Sequence, residues 1–191
     1  NTSVKKLAGP MPKSLTVTLA NLIYFEKAEL PQALANRLIR LAAFQNPEFY
    51  KAQSMRLSTY DKPRVIACAE DHAHHIGLPR GCLDEVRESL RALGVSVTVR
   101  DERNAGSPLE VSFQGELRPD QQVAADAMWR HDTGVLAAST AFGKTVVAAW
   151  LIARRRVSTL VLVHRRQLLD QWIERLSVFL GIPKKAIGRI G

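Results

Sequence analysis

The chain has few cysteines and no long apolar run. Two cysteines, Cys68 and Cys82, among 191 residues are too few for the disulfide framework of a small secreted protein, so reduced thiols are expected. The longest uninterrupted apolar stretch, Val146 to Ala153, is much shorter than a membrane span, and residues 1–14 lack the apolar core of a signal peptide. These absences argue against membrane-spanning and exported proteins, and they predict a cytoplasmic location.

The chain also lacks the paired spacings of a zinc site. Five potential ligands lie between positions 68 and 82, but none follows a standard Cys/His pattern: Cys68, His72, His74, His75 and Cys82. We therefore predict no metal at this cluster and interpret its histidines as strand-edge residues.

Acidic residues are outnumbered by basic ones, which gives a net charge of +9. Residues 113–191 hold 12 Lys and Arg against 6 Asp and Glu, so most of the excess lies there. Such a balance suits the phosphate backbone of a nucleic acid. Cations also favour helix C-termini, and that interpretation is preferred for Arg154 to Arg156. The hydrophobic content of 46% is typical of a globular protein with a core.

Residues 1–112 have the mixed pattern of a small α+β domain. Apolar alternation and helical spacing predict a strand at Leu15–Tyr24, a helix from Pro31 to Asn46, a strand at Val65–Ala69, a helix at Asp84–Leu93 and a strand at Val95–Val99. The stretch Asn104 to Pro108 is the best linker candidate because it is rich in turn residues.

Residues 113–191 alternate between helical and strand patterns, which favours a parallel α/β sheet. We predict helices at 121–130, 145–156 and 166–180 and strands at 135–138 and 159–164. Leu160 to Val163 is a continuous β-prone run, as expected of a strand covered on both faces. Two strands do not complete a doubly wound domain, so the chain is expected to be a fragment, with the remainder of the protein missing.

A phosphate-binding loop is predicted at Ala138 to Thr145, where a short apolar run leads in and a helical pattern leads out. Such a loop turns backbone N–H groups toward phosphates at a helix N-terminus. Lys144 would then reach the β- and γ-phosphates, and the Thr145 hydroxyl would hold Mg²⁺. Ala138 and Ala141 stand where related loops have glycine, and Ala141 would cost about 1–2 kcal/mol if its φ is positive. The alternative is an ordinary strand-to-helix turn with a surface lysine.

Three motifs in order resemble the superfamily 2 DNA helicases and translocases, in particular the DEAD/DEAH-type bacterial group related to UvsW and XPB. Leu117-Arg118-Pro119-Asp120-Gln121 is similar to the adenine-reading Q motif, with Asp120 in place of the usual Tyr. The phosphate loop resembles motif I, and the stretch from Leu160 to Trp172 resembles motif Ia. The resemblance implies the first half of a RecA-like P-loop domain, at 113–191, after the small domain at 1–112.

The resemblance also implies two contacts with DNA. Arg165 and Arg166, at the helix start in motif Ia, would contact a nucleic-acid strand, or would merely decorate that helix start. The turn Leu78 to Gly81 is similar to one that precedes the motor in UvsW-like and XPB-like proteins, where a small domain contacts duplex DNA. Arg80 in this turn would touch phosphate, or would be a solvated turn residue.

The expected function is therefore the N-terminal part of an ATP-dependent DNA helicase or translocase that uses ATP and Mg²⁺. The residues expected to hold the nucleotide are Arg118, Gln121, Thr140, Ala141, Phe142, Gly143, Lys144 and Thr145. No Asp-Glu pair follows Lys144, so this chain alone is expected not to turn over ATP. Two alternatives remain: a DNA- or nucleotide-binding module without motor activity, and a P-loop small-molecule kinase, which the two flanking motifs disfavour.

Overall fold

A computed structural model describes residues 10–190 and divides them into two compact units, with the boundary between Asn104 and Ala105. This boundary lies at the start of the turn-rich stretch that the sequence marks as a linker, whereas the sequence-based division was placed after residue 112. Each unit is described by itself.

The first unit is an α+β fold with a five-stranded sheet. Its strands are β1 (Ser14–Leu19), β2 (Ile23–Glu26), β3 (Ala43–Gln45), β4 (Val65–Ala67), β5 (Glu70–Asp71), β6 (His75–Leu78) and β7 (Ser96–Asp101), and its helices are α1 (Gln32–Leu41), α2 (Pro47–Ser54) and α3 (Leu83–Ala92). The main sheet has the order β5-β6-β2-β1-β7, and β3 pairs with β4 separately. Strands β1 and β7 run parallel, while the other paired strands are antiparallel.

The predicted single strand Leu15–Tyr24 is in fact two strands joined by a tight turn. Thr18 lies opposite Tyr24, and the N–H of Ala20 donates to the Leu22 carbonyl over 2.8 Å. The chain reverses at Asn21, a residue type that tolerates turn conformations. The apolar pattern continues on both sides of this reversal, so periodicity alone did not reveal it.

The core of the first unit lies between the sheet and two amphipathic helices. Alternate residues of β1 are buried, as the period of a strand requires, and the helices cover them with residues at helical spacing. The buried residues include Leu15, Val17, Leu19, Leu34, Leu38, Val86 and Leu90. Helix α3 confirms the second predicted helix. Helix α1 confirms the first only as far as Leu41, because Ala43–Gln45 forms strand β3 and pairs with β4 instead of continuing the helix to Asn46.

The second unit is helical in its regular structure: α4 (Pro119–Trp129), α5 (Lys144–Arg155) and α6 (Arg166–Leu180). The three helices confirm the predicted ones to within two residues at each end. Helices α5 and α6 bury an apolar cluster that includes Ala149, Ile152 and Leu176. No helix among residues 10–190 is long and apolar enough to cross a membrane.

The predicted strands at 135–138 and 159–164 are not formed as paired strands. Among the described residues of the second unit, the only β-type pairing is an isolated bridge between Pro108 and Val157. Leu160 and Leu162 are 70% and 84% exposed, so the expected cover on both faces is absent. A β-prone segment becomes a strand only where a neighbour takes up its backbone hydrogen bonds, and within residues 10–190 no segment pairs with these two in that way. The mixed α/β class itself is confirmed, and so is a sheet that contains parallel strands.

Candidate nucleotide site

The predicted phosphate loop joins the segment before it to the N-terminus of α5. Gly143 is the N-cap residue of α5 and has a φ of 89°, in the left-handed region that favours glycine. Ala141 also has a positive φ, 66°, which is the condition under which the sequence predicts a cost. The left-handed backbone at this alanine therefore destabilises the fold by about 1–2 kcal/mol. Two left-handed residues within three positions turn the chain sharply into the helix.

Lys144 folds back over the loop that it follows. Its Nζ donates to the carbonyl oxygens of Ala138 over 2.7 Å and of Ser139 over 2.8 Å. The ammonium group therefore lies across the start of the loop, although the residue is exposed to solvent. Thr145, the next residue, is half-buried in the first turn of α5. A cation and a hydroxyl thus stand together at a helix N-terminus, which itself favours anions.

Gln121 is held between the start of α4 and the loop, and only 3% of it is exposed. Its Oε1 accepts a hydrogen bond from the backbone N–H of Arg118 over 3.0 Å. Its Nε2 donates to the carbonyl of Phe142 over 2.7 Å. The guanidinium of Arg118 donates to the same carbonyl over 2.8 Å. Two residues of the predicted Q motif therefore converge on one carbonyl of the predicted motif I.

A side chain at position 143 would displace the Gln121 amide from its contact with the loop. A Cβ built on Gly143 would come within 2.5 Å of Gln121 Nε2, closer than real Cβ atoms approach a neighbour. Glycine is thus favoured here by its positive φ, and a Cβ would in addition move the buried amide away from the Phe142 carbonyl. Both features account for a glycine immediately before Lys144 in this chain.

Arg118 has two further partners. It pairs with Asp120, the residue that replaces the usual Tyr, at 3.3 Å, and hydrogen bonding to Arg118 lowers the pKa of the Asp120 carboxyl. Its guanidinium carbon also lies 5.9 Å from the centre of the Phe142 ring, within cation–π range. The contact between Arg118 and Phe142 could not be predicted from the sequence, because it depends on two segments 24 positions apart meeting in space.

The two arginines of the predicted motif Ia lie at the start of α6. Arg165 is its N-cap residue, Arg166 is its first residue, and both are exposed. Among the described residues, neither has an ion pair or a hydrogen bond through its side chain, so both charges are available to a partner. Both also line a cavity of about 760 Å³ alongside α6. No hydrogen bond or ion pair within residues 10–190 links them to the phosphate loop.

The remaining candidates lie in the first unit. Arg80 is exposed in the short 3-10 turn Arg80–Cys82 that leads into α3. His72 and His75 pair with Glu70 and Glu26, and within the described part of the chain no group of metal-type ligands converges. Cys68 and Cys82 are free thiols, and burial raises the pKa of Cys82.

The basic triplet at the end of α5 has a partner that the sequence did not indicate. Arg154 and Arg155 each place a guanidinium carbon 5.4 Å from the Trp129 ring, and Arg155 also donates to the His131 carbonyl over 3.2 Å. These contacts join the ends of α4 and α5. They agree with the preference for a structural over a DNA-binding interpretation of the triplet.

The amino-acid sequence is similar to those of several known proteins. Residues 114–190 match the family described as "Type III restriction enzyme, res subunit". The DNA 3'-5' helicase XPB of Mycobacterium tuberculosis is 32% identical over 82 residues, which cover 42% of this chain and 15% of that protein. Over part of its length the chain is thus similar to DNA helicases of the XPB type. This confirms the resemblance drawn from the three motifs.

Two further relatives agree. A protein of Halobacterium salinarum named "Putative DNA 3'-5' helicase Rad25" is 38% identical over 92 residues, covering 47% of this chain and 15% of that protein. The DNA 3'-5' translocase XPB2 of Sulfurisphaera tokodaii is 34% identical over 73 residues, covering 38% of this chain and 17% of that protein. The chain therefore spans only a small part of the length of the relatives it matches.

Proposed function

We propose that this chain is the nucleotide- and DNA-contacting N-terminal part of an ATP-dependent DNA helicase or translocase. The observation that carries the proposal is the loop at the start of α5, in which Gly143 and Ala141 are left-handed and Lys144 lies over the loop. This arrangement fits a triphosphate chemically, because backbone N–H groups, a helix N-terminus and an ammonium group all favour negative charge. The similarity of part of the chain to proteins named as DNA helicases supports the same function.

The residues from Thr140 to Thr145 each have a role in the proposal. The backbone of Thr140 to Gly143 binds the phosphates, and Lys144 exchanges its two carbonyl partners for phosphate oxygens. Thr145 supplies a hydroxyl ligand for Mg²⁺, which neutralises phosphate charge when it is bound. Arg118 and Gln121 lie against the loop, next to the expected nucleotide.

DNA is proposed to bind through the exposed arginines. Arg165 and Arg166 stand at the N-terminus of α6, where their charges and the helix N–H groups both attract a phosphate. Arg80 is proposed as a further phosphate contact from the first unit. The chain on its own is proposed to bind nucleotide without turning it over, since no Asp-Glu pair follows Lys144.

A binding assay tests this function directly. Titration of the 191-residue chain with ATP and Mg²⁺, followed by calorimetry, should give saturable binding that Lys144→Ala abolishes. Lys184→Ala is a matched control, because Lys184 is exposed and pairs with Glu174 away from the loop. Equal binding by wild type and Lys144→Ala would exclude the phosphate site. DNA-stimulated ATP hydrolysis by the chain alone would exclude the proposal that this chain binds nucleotide without hydrolysing it.

A further inference from the structure

The first unit exposes its large apolar side chains in one segment only. Residues 43–67 form β3, α2 and β4, and β3 and β4 pair with each other rather than with the five-stranded sheet. We call these residues the β3–β4 segment. Every large apolar side chain that is exposed among residues 10–104 lies in it: Phe44, Met55, Leu57, Tyr60 and Val65. Such a concentration is typical of an interaction surface, whereas single exposed apolar residues are ordinary.

Tyr60 lies at the tip of a tight turn in this segment. The N–H of Lys62 donates to the Thr59 carbonyl over 3.1 Å, which closes a β-turn with Tyr60 at its second position. The tyrosine is fully exposed. Within residues 10–190 its hydroxyl makes no hydrogen bond and its ring stacks on no other ring. The aromatic faces are therefore open to a ligand.

Arg56 ends α2 in a backbone conformation that favours glycine. Its φ is 56°, and the N–H of Leu57 donates to the Ala52 carbonyl over 2.9 Å, as in a Schellman motif. Glycine adopts this conformation without strain, whereas arginine does not. In the described part of the chain no ion pair or hydrogen bond engages the guanidinium, so no contact there offsets the strain. The cation is available to a partner.

Asn46 ties together the two ends of the loop that carries Tyr60. This residue is 6% exposed, its side-chain oxygen accepts from the Glu48 N–H over 3.0 Å, and its amide donates to the Pro63 carbonyl over 2.9 Å. Its backbone N–H also donates to the Arg64 carbonyl over 3.1 Å. The start of α2 and the end of the loop are thus fixed to each other, and the turn rests on a preorganised base.

The charge of the segment favours an anionic partner. Cations outnumber carboxylates four to two: Lys51, Arg56, Lys62 and Arg64 against Glu48 and Asp61. Lys62 pairs with Asp61 over 2.8 Å, which offsets the carboxylate of the turn. An open aromatic ring beside cations suits unpaired bases on a phosphate backbone, because the base stacks on the ring and the phosphates meet the cations. A base pair inside a duplex does not offer its face in this way.

We propose that the β3–β4 segment binds a single-stranded nucleic acid, with one base stacked on Tyr60 and a neighbouring phosphate held by Arg56. This inference rests on the proposed function in taking DNA as the ligand. It adds a contact in the first unit that depends on neither Arg165 nor Arg166.

Fluorescence anisotropy of a labelled oligothymidylate, titrated with the 191-residue chain, measures this contact. Tyr60→Ala should weaken binding about tenfold, as expected for the loss of one base–aromatic stack. Tyr60→Phe keeps the ring and should bind as wild type does. Tyr60→Leu is apolar but has no stacking face, so it should bind as weakly as Tyr60→Ala. Wild-type affinity in Tyr60→Leu would overturn the stacking role.

Two further ligands separate the base from its backbone and from a duplex. An abasic oligomer of the same length keeps the phosphates and lacks the bases, so Tyr60→Ala should bind it as wild type does. The same should hold for a blunt duplex of that length. Equal weakening of all three ligands by Tyr60→Ala would overturn base stacking.

Arg56→Gly tests the phosphate contact without disturbing the fold. It removes the cation and supplies the residue that the left-handed conformation favours, so the urea midpoint followed by circular dichroism should not fall. Affinity for the oligomer should still decrease, and the slope of log binding constant against log salt concentration should lose about 0.7 of its magnitude. Arg91→Ala is the control, because Arg91 is an exposed arginine on α3, and it should leave the slope unchanged. A slope unaffected by Arg56→Gly would overturn the phosphate contact.

The outcomes separate this inference from the proposed function. If wild type binds neither single-stranded nor duplex DNA, both fail. If wild type binds the oligomer and Arg165→Ala with Arg166→Ala weakens it, but Tyr60→Ala does not, only this inference fails. A protein partner would then be the occupant of the apolar surface.

Discussion

Replacing Gly143 with Ala should destabilise the second unit by about 3 kcal/mol. Its φ of 89° places a Cβ in the left-handed region, which costs about 1–2 kcal/mol. The same Cβ would stand 2.5 Å from Gln121 Nε2, and forced packing of this kind costs about 1–3 kcal/mol. The lower entropy of the unfolded alanine chain offsets about 0.5–1 kcal/mol of this loss.

Urea unfolding followed by tryptophan fluorescence measures this loss of unfolding free energy in the second unit, where Gly143 lies. The three tryptophans, Trp129, Trp150 and Trp172, all lie in the second unit, so the signal reports that unit alone. With a slope of about 2 kcal/mol per molar urea, the midpoint should fall by about 1.5 M. Gly188→Ala is the matched control, because a Cβ there meets nothing within 4 Å and the change should stay within about 0.5 kcal/mol.

A double-mutant cycle divides the loss into its two causes. Gln121→Ala removes the atom that the new Cβ would strike, so the combined variant should keep the backbone strain and lose the clash. A coupling free energy of about 1–2 kcal/mol is expected between the two positions. If Gly143→Ala is as mild as Gly188→Ala, the loop does not adopt this conformation and the argument for the phosphate site loses its geometric basis.

Three further predictions follow from individual contacts. Ala141→Gly relieves the strain at a φ of 66° but adds unfolded-state entropy, so it should stabilise the second unit by up to about 1 kcal/mol in urea; a clear loss would contradict this. Arg165→Ala combined with Arg166→Ala should weaken DNA binding and reduce the magnitude of the slope of log binding constant against log salt concentration by about 2. Arg154→Ala, which removes a cation that lies over the Trp129 ring, should leave that slope unchanged. Asn46→Ala removes the cap of α2 and a buried bond to the Pro63 carbonyl, and circular dichroism should show a loss of about 1–3 kcal/mol in the first unit.

The structure bears out several local predictions because short-range chemistry decides them. Helix α6 begins at Arg166 and ends at Leu180 as the spacing of its apolar residues indicated. For Ala141 the sequence supported only a conditional statement, a cost if its φ is positive, and the structure meets that condition with a φ of 66°. The order of the three motifs was enough to indicate the similarity to XPB-type helicases that the comparison confirms.

Other features required the chain to be folded. The reversal at Asn21 and the unpaired state of Leu160 and Leu162 depend on which neighbours are present, and a periodic pattern does not record neighbours. The amide of Gln121 was assigned to adenine from its motif, but only the tertiary structure brings it to the Phe142 carbonyl, 21 positions away.

The sequence by itself determined the helices of the second unit, the loop before α5 and the family, because each depends on residue types at fixed spacing. Tertiary structure alone decided which donor meets which carbonyl, which strands pair and which cations remain unpaired. These contacts join distant segments, and their geometry is set by packing rather than by local preference.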